Sequence, residues 1–227
     1  MTQIFAHRGA SKRAKENTLT AFRLARELGA DGVELDVRRT QDGELAVHHD
    51  PYLVDGSVIC DTAAADLSSS VPLLAAALDS CHGLLVNIEI KNEPGEPDFD
   101  ATEMVAEAVV ALVRRRGGID RVLISSFHLP TIDRVRALDA ALATAWLVEA
   151  VRADTVDTLL AHGHQVLHPW VKKVTADLIR TCHDRSVSVN TWTCDDPVRM
   201  AELIRWGIDG ICSNVPDVAV GVLRSGR

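Results

Sequence analysis

The sequence predicts an α/β fold, namely a (β/α)8 barrel of the TIM type with a small insertion after the second strand. Short β-rich runs alternate with longer segments of helical period along the whole chain, which is typical of βα units and a parallel sheet. Eight such units can be counted, and eight units close a barrel. A barrel of this kind typically needs about 250 residues. The chain has 227 residues, so we expect a single domain over residues 1–227.

Each predicted strand is a short apolar run rich in β-branched residues. In chain order these runs are QIFAH (3–7), GVELDV (32–37), LLVNIEIK (84–91), RVLISSF (121–127), ATAWLV (143–148), HQVLHP (164–169), VSVNTW (187–192) and DGICS (209–213). The segments between them carry apolar residues three and four positions apart, which predicts helices. They are TLTAFRLAREL (18–28), VPLLAAALDS (71–80), ATEMVAEAVVALVRRR (101–116), TIDRVRALDAAL (131–142), ADTVDTLLAHG (153–163), ADLIRTCHDR (176–185) and PVRMAELIRWG (197–207).

Glycine ends several of these helices just before the next strand, as at Gly29, Gly163 and Gly207. Glycine at this position suits a left-handed C-cap. The main alternative fold is an open, doubly wound sheet. No GxGxxG motif follows the first strand, which argues against the dinucleotide-binding form of that fold.

The predicted insertion follows the second strand. Asp42-Gly43 favours a hairpin turn, and ELAVHH (44–49) is expected to form a second short strand. A polar, irregular stretch then covers residues 52–70. A loop this long after a barrel strand either lies on the catalytic face or is disordered.

Composition excludes several classes of function. Nearly half of the residues are hydrophobic (47%), enough to bury a large core, and the formal net charge is −8. With no basic stripe to replace counterions on phosphates, we expect no general affinity for nucleic acid or anionic lipid. The N-terminal residues reach charged positions before any apolar stretch long enough for a signal peptide. We therefore expect a cytoplasmic protein without stable membrane insertion, and the sequence contains no signal for an oligomeric state.

The five cysteines are scattered and form no CxxC pair, so they are expected to be reduced and mostly buried.

Acidic residues on two predicted strands are more informative about function. Because side chains alternate along a strand, Glu34 and Asp36 share one face of GVELDV, and Asn87, Glu89 and Lys91 share one face of VNIEIK. Three carboxylates and one ammonium thus point toward the barrel axis near the carboxyl ends of neighbouring strands.

Carboxylates brought together in this way raise one another's pKa unless a positive charge neutralises them. A divalent cation is the simplest answer, and an all-oxygen ligand set favours Mg²⁺ or Ca²⁺ over zinc. The alternative interpretation is that Glu34 and Asp36 lie on a solvated strand face while Glu89 only pairs with Lys91.

The first strand ends in His7 and Arg8, and Gly9 permits a tight turn directly after them. A structural histidine is the common reading of an isolated His-Arg pair. The position favours a site, because the end of the first strand opens onto the catalytic face beside the carboxylates. Arg8 would then offer a guanidinium fork to a phosphate or carboxylate.

In ELAVHH only one of His48 and His49 can point into the mouth of the barrel, and the alternation does not say which. Asp50-Pro51 follows directly, and Asp50 either orients an imidazole or caps the turn.

These motifs together resemble the glycerophosphodiester phosphodiesterase family along nearly the whole chain. The matching motifs are HRG (7–9), ENTLTAF (16–22), GADGVELDV (29–37), HDP (49–51), VPLL (71–74), NIEIK (87–91), SSF (125–127), NTWT (190–193) and GIDGICSNVPD (207–217). HRG or HDP alone would be weak, whereas the set is highly specific.

The resemblance implies a TIM barrel that uses a divalent metal ion to hydrolyse a glycerophosphodiester, a small-molecule substrate, to sn-glycerol 3-phosphate and an alcohol. It implies His7 and His49 as the catalytic acid/base pair, since the family's histidine directly precedes Asp-Pro. It further implies metal ligands, phosphate contacts and an aromatic wall near the glycerol. These are Glu34, Asp36 and Glu89 for the metal, Arg8 and Lys91 for the phosphate, and Trp192 for the wall. Whether water or the glycerol's own hydroxyl attacks stays open.

Three departures from the family pattern stand out. Lys15 replaces the usual proline before ENT, YLVDGSVICDT (52–62) replaces the usual Leu-x-Arg-Thr-Thr run, and Ser213-Asn214-Val215-Pro216 replaces Thr-Asp-x-Pro. None of them removes a residue assigned to catalysis.

Some alternatives remain open at the level of sequence. Glu16 and Asn17 either cap the helix that begins at Thr18 or contribute to the substrate shell. Trp192 could instead pack in the barrel. His128 and His168 lie at strand ends where they could border the pocket. Two other functions also stay open: a lysophospholipase D-type activity on lipid-bearing diesters, and a barrel that binds phosphodiesters without catalysis.

Overall fold

Eight parallel strands close into a barrel in this computed structural model, which describes residues 1–226. The strands, including a short antiparallel one, are β1 (Gln3–His7), β2 (Gly32–Arg39), β3 (Leu45–Val47), β4 (Leu85–Ile90), β5 (Val122–Ser126), β6 (Ala143–Val148), β7 (Val166–Pro169), β8 (Ser188–Thr191) and β9 (Gly210–Ser213). Pairing runs β1-β9-β8-β7-β6-β5-β4-β2, and a β1–β2 pair closes the ring. The predicted (β/α)8 TIM barrel is therefore confirmed.

Helices follow the barrel strands and cover the outside of the sheet. They are α1 (Leu19–Glu27), α2 (Leu74–Ser80), α3 (Met104–Arg116), α4 (Leu129–Leu138), α5 (Thr155–Ala161), α6 (Ala176–His183), α7 (Pro197–Arg205) and α8 (Pro216–Ser225). The sequence predicted the first seven. Helix α8 was missed, although Pro216 in its first turn is a typical start signal.

Helix α1 shows how local sequence builds the outer layer. The Thr18 hydroxyl accepts a hydrogen bond from the Ala21 amide and so caps the helix. Ala21, Phe22 and Ala25 lie three and four positions apart and are buried. Phe22 and Ala25 belong to the same hydrophobic cluster as the outward-facing Val33 of β2.

The insertion after β2 has the expected place, and its strand is shorter than predicted. Strand β3 pairs antiparallel with β2, with Val47 opposite Val37. The His48 amide still reaches the Asp36 carbonyl at 3.1 Å, but the ladder then ends. The following stretch, 52–70, is folded: Tyr52 and Val58 form an isolated antiparallel bridge, and two short 3-10 turns follow.

The predicted single domain ends at Arg227, which lies outside the described residues. Within residues 1–226, no helix has both the length and the apolar character needed to cross a membrane.

Gly32 in β2 makes room for the ring of Phe5 in β1, its partner in the ladder. A Cβ at this position would lie 2.7 Å from the Phe5 ring and 2.8 Å from the Leu85 carbonyl oxygen. The carbonyl belongs to the neighbouring strand and cannot move independently of the sheet.

We expect Gly32→Ala to destabilise the barrel by about 1–3 kcal/mol, as overpacking usually does. The matched control is Gly221→Ala in α8, where a Cβ meets nothing within 4 Å and alanine suits the helix better than glycine. Urea unfolding followed by circular dichroism measures both variants. Equal stability of the two would show that β1 and β2 do not approach as closely as described.

Candidate active site

An acidic cluster lies on the neighbouring strands β2 and β4, beside the end of β1. The register of these strands places Glu34 beside Asn87 and Asp36 beside Glu89. All three carboxylates are buried, and one ligand oxygen from each lies within 4.8 Å of the others. The structure thus brings the three sequence-predicted acids together, and their burial does not agree with a solvated strand face.

Burial and mutual repulsion set the protonation of the cluster. Burial first, and then the charges of Asp36 and Glu89, raise the pKa of Glu34 well above its ordinary value. Burial also raises the pKa of Glu89 to about 7, although Lys91 opposes the shift. Burial would raise the pKa of Asp36 too, but Arg8 and the other nearby positive groups outweigh it and lower that pKa. The cluster therefore holds more negative charge than its own residues neutralise.

Two oxygens of the cluster, Glu34 Oε1 and Asp36 Oδ1, are buried and have no hydrogen-bond partner among the described residues. A buried carboxylate oxygen without a donor is costly, and native proteins rarely leave one unsatisfied. Hard divalent cations prefer converging carboxylate oxygens. The three acids therefore fit a Mg²⁺ or Ca²⁺ ion by donor type, burial and spacing.

Arg8 connects the end of β1 to this cluster. Its backbone adopts a left-handed conformation (φ 56°), and its amide donates to Glu34 Oε2 at 2.9 Å. Its Nε lies 3.3 Å from Asp36 Oδ2, and its Nη1 donates to Glu16 Oε1 at 3.0 Å. Gly9 follows with φ 79° and lies so close to Ala21 that a side chain would collide with that backbone. The tight turn predicted after His7 and Arg8 is therefore required by packing.

Asn17 serves the cluster and does not cap α1. Its Nδ2 donates to Asp36 Oδ2 at 2.8 Å, while Thr18 caps the helix. The helix-cap alternative is therefore wrong for Asn17, and the substrate-shell alternative stays a prediction. Asn17 orients an acid of the cluster.

His7 is held by a chain of hydrogen bonds that sequence reasoning missed. Its Nδ1 lies 2.7 Å from Asn214 Oδ1, and Asn214 Nδ2 donates to Asp195 Oδ2 at 2.7 Å. Because an ionised carboxylate only accepts, Asn214 must present its amide hydrogens to Asp195 and its oxygen to His7. His7 Nδ1 then carries the hydrogen. His7 Nε2, 4.0 Å from Glu34 Oε2, is left as an acceptor.

The signal for this contact was present in the sequence as the unusual Ser-Asn-Val-Pro motif at 213–216. Burial first, and then the charge of Arg8, lower the pKa of His7. The ring is therefore neutral near pH 7.

His49 lies beside the cluster, at the start of the insertion loop. Its Nδ1 is 2.7 Å from Asp50 Oδ1, and its charge contributes to lowering the pKa of Asp36. The side chain is about one-third exposed (33%), so solvent can reach it. His48 instead places its Nδ1 2.8 Å from the Asp50 carbonyl oxygen.

Lys91 and Trp192 both lie against the ring of Phe127. Lys91 Nζ donates to Glu89 Oε1 at 2.9 Å, lies 3.1 Å from Glu93 Oε1, and stands 5.6 Å from the centre of the Phe127 ring. Trp192 packs edge-on against Phe127, with ring centroids 5.2 Å apart. Glu89 therefore does pair with Lys91, as the alternative interpretation expected, but within the acidic cluster.

One cavity is lined by four of the eight predicted site residues; Arg8, Asp36, His49 and Lys91 lie outside its lining. It extends from the acidic cluster into the barrel, and its lining includes His7, Glu34, Glu89, His168 and Trp192. His168 lies at the end of β7, and its Nε2 is 2.9 Å from Asn190 Nδ2. Burial lowers the pKa of His168 to about 3, so its ring is neutral. The sequence placed His168 at a strand end without selecting it.

Comparison with known proteins agrees with this geometry. Residues 7–218 match the model of the glycerophosphoryl diester phosphodiesterase family. The chain belongs to this family. A glycerophosphodiester phosphodiesterase of Bacillus altitudinis is 31% identical and aligns over 98% of both chains. One from Caldanaerobacter subterraneus subsp. tengcongensis is 29% identical over 99% of both.

A solved structure extends the comparison. The phosphodiesterase of Oleispira antarctica, in complex with its product sn-glycerol-3-phosphate, superposes with a TM-score of 0.91 at 25% identity, covering 99% of this chain and 97% of that one. The chain is thus a phosphoric diester hydrolase, as the resemblance implied. The alternative of a barrel without catalysis loses its support.

The cluster predicts a pH-dependent response to divalent cations. Since the folded-state pKa of Glu89 is raised to about 7, the folded protein without cation binds more protons than the unfolded chain between that pH and the ordinary glutamate range. The protonated Glu89 side chain therefore contributes to the free energy of unfolding at low pH. This contribution is lost as the pH rises through about 7. Saturating Mg²⁺ or Ca²⁺ should therefore stabilise chelator-treated protein more at about pH 7.5 than at about pH 5.5, by about 1–3 kcal/mol.

Thermal unfolding at both pH values, with and without the ion, measures this difference. Glu34→Gln removes one of the oxygens and should reduce the cation effect at both pH values. An equal effect of the cation on wild-type stability at the two pH values would contradict the prediction.

Proposed function

We propose that this enzyme hydrolyses glycerophosphodiesters to sn-glycerol 3-phosphate and an alcohol, in a metal-dependent reaction with His7 and His49 as general acid and base. The observation that carries the proposal is the buried acidic cluster with two unsatisfied oxygens, which shares a cavity with His7. The product bound to the Oleispira antarctica relative supports the choice of substrate class.

Glu34, Asp36 and Glu89 would hold the Mg²⁺ or Ca²⁺ ion. When bound, the ion supplies positive charge that neutralises the cluster and polarises a phosphoryl oxygen. Arg8 and Lys91 would contact the remaining phosphate oxygens. Both are already held beside the cluster by carboxylates, so their charges need no rearrangement to meet a substrate.

Trp192 would form the wall against the glycerol. Its indole Nε1 donates to the His168 carbonyl at 2.8 Å, and its ring packs on Phe127. A ring fixed on two sides presents a constant apolar face to the carbon chain of the glycerol. Packing in the barrel and substrate contact are thus compatible roles for this residue.

The two histidines divide the proton transfers. His7 is neutral, with Nδ1–H donated to Asn214, so its Nε2 accepts the proton of the attacking hydroxyl. His49 then donates a proton to the leaving alkoxide. The hydrogen bond from His49 is the largest cause of the lowered pKa of Asp50, so this carboxylate stays ionised and holds the ring. The attacking hydroxyl is either water or the glycerol hydroxyl, and the second gives a cyclic phosphate that water opens.

We also propose that residues 1–227 form one domain acting in the cytoplasm on small molecules and not on nucleic acid. The net charge of −8 supports the part of this proposal that excludes nucleic acid.

We expect His7→Ala and His49→Ala each to lower kcat for glycerophosphocholine by about 10²–10⁴-fold, the usual contribution of a positioned acid or base. Release of sn-glycerol 3-phosphate is measured by a coupled assay. His82→Ala, at an exposed histidine beyond α2, is the matched control and should keep wild-type activity. Activity that survives both substitutions, or survives a chelator, would refute the proposed chemistry.

A lysophospholipase D-type activity is a second candidate, and one observation favours it. Tyr52 and Val54 are large apolar side chains, 51% and 97% exposed, only three and five positions after His49. An acyl chain leaving the mouth of the barrel on this side would meet them.

If lipid-bearing diesters are substrates, Val54→Ser should raise KM for lysophosphatidylcholine about 3- to 10-fold through lost apolar contact, with KM for glycerophosphocholine unchanged. Val198→Ser is the control, because Val198 is similarly exposed (76%) but lies on α7. Equal KM changes for the two substrates, or no activity on the lysolipid, would eliminate this candidate.

A further inference from the structure

Arg38 is a fully buried charged residue that the chemistry above does not use. It lies on β2 two positions beyond Asp36, and its side chain has no exposed area. By strand alternation it shares the face of Glu34 and Asp36. A buried guanidinium is costly unless every donor finds a partner, so its position requires an explanation.

Two carboxylates from one loop bind the two terminal nitrogens of this guanidinium. Nη1 donates to both carboxylate oxygens of Asp98 at 2.8 and 2.7 Å and to Glu96 Oε2 at 2.9 Å. Nη2 donates to Glu96 Oε1 at 3.2 Å. Burial alone would lower the pKa of Arg38, but the two acids outweigh it and raise that pKa. The Arg38 guanidinium is therefore held in one orientation.

The Nε donor of Arg38 reaches the main chain of His49. Arg38 Nε donates to the His49 carbonyl oxygen at 2.7 Å. His49 stands two residues after the end of β3, where the ladder no longer holds the chain. The hydrogen bond from the preceding His48 amide to the Asp36 carbonyl also joins this segment to β2. Strand β2 thus supplies two metal-ligand candidates and two contacts to the segment that carries His49.

The loop that holds Arg38 also reaches the other side of the site. It connects β4 to α3, and its Glu93 lies 3.1 Å from Lys91 Nζ. Within the loop, Asn92 Nδ2 donates to the Asp100 carbonyl and Asn92 Oδ1 accepts from the Asp100 amide. The loop is therefore a fixed support against which Arg38 is held.

We propose that Arg38, clamped by Glu96 and Asp98, is a positioning residue that fixes His49 for proton transfer. This inference rests on the proposed role of His49. Lysine is not an equivalent replacement, because its donors all come from one nitrogen and cannot reproduce the planar fork whose Nη atoms bind the carboxylates while Nε meets the His49 carbonyl. A displaced backbone at His49 would move its imidazole away from the leaving group, and a shift of about 1 Å can cost about 100-fold in rate.

The experiment compares Arg38→Met and Arg38→Lys with Arg39→Met. Arg39 is the neighbouring arginine on β2 and faces the other way. Within residues 1–226, its side chain donates only to the adjacent Thr40 carbonyl, at 3.4 Å. We expect Arg38→Met to lower kcat for glycerophosphocholine about 10- to 100-fold with KM changed less than about 3-fold. Arg38→Lys should not restore kcat, and Arg39→Met should retain it.

A double-mutant cycle separates positioning from general structural damage. If Arg38 acts through His49, Arg38→Met should cost nothing further in a His49→Ala background. In a Trp192→Phe background, which alters the substrate wall and leaves His49 in place, Arg38→Met should cost the same factor as in wild type. Losses that multiply in both backgrounds would overturn the positioning role.

Failure of this inference is distinguishable from failure of the proposed function. Wild-type activity in His49→Ala would refute the function assigned to His49, whatever Arg38 does. An inactive His49→Ala together with unchanged kcat in folded Arg38→Met would refute only the positioning role. If Arg38→Met does not fold by circular dichroism, Asp98→Asn loosens the same clamp. Full kcat in folded Asp98→Asn would then overturn the proposal.

Discussion

The mutual repulsion of three buried carboxylates is the constraint on which the rest of this structure depends. Glu34, Asp36 and Glu89 lie within 4.8 Å of one another at the edge of a closed barrel. Ionised together without compensation, they would destabilise the fold. Arg8 and Lys91 supply part of the compensation, and two buried oxygens remain open to a cation. The stability of this cluster therefore depends on positive charge.

The barrel architecture places these carboxylates together with the other residues of the candidate active site. Parallel strands end at the same edge, so acids on β2 and β4 face the cavity together with His7 at the end of β1. Connections beyond the strands then bring supporting groups: Asn214 follows β9 and orients His7, while the loop beyond β4 carries the acids that hold Arg38. The acids and His7 lie on strands, and side chains of the surrounding loops hold His7 and Arg38 in place.

Family membership describes a phosphoric diester hydrolase, and the loop after His49 lies next to its candidate site. The residues proposed for metal binding and proton transfer lie on the strands or directly after them. In contrast, Tyr52 and Val54 expose apolar surface on a loop that departs from the family pattern. Substrate preference is accordingly expected to reside in this loop, since it can vary without moving the acidic cluster.

Sequence alone determined the eight-strand barrel and the shared face of the acids, because strand alternation and helical period are local properties of the chain. It could not decide between His48 and His49 by alternation, since β3 ends before either of them. It also missed the contact of His7 with Asn214, 207 positions away, and the burial of Arg38 against Glu96 and Asp98. Only the tertiary structure showed the last two contacts, because barrel closure brings together segments whose distance along the chain carries no periodic signal.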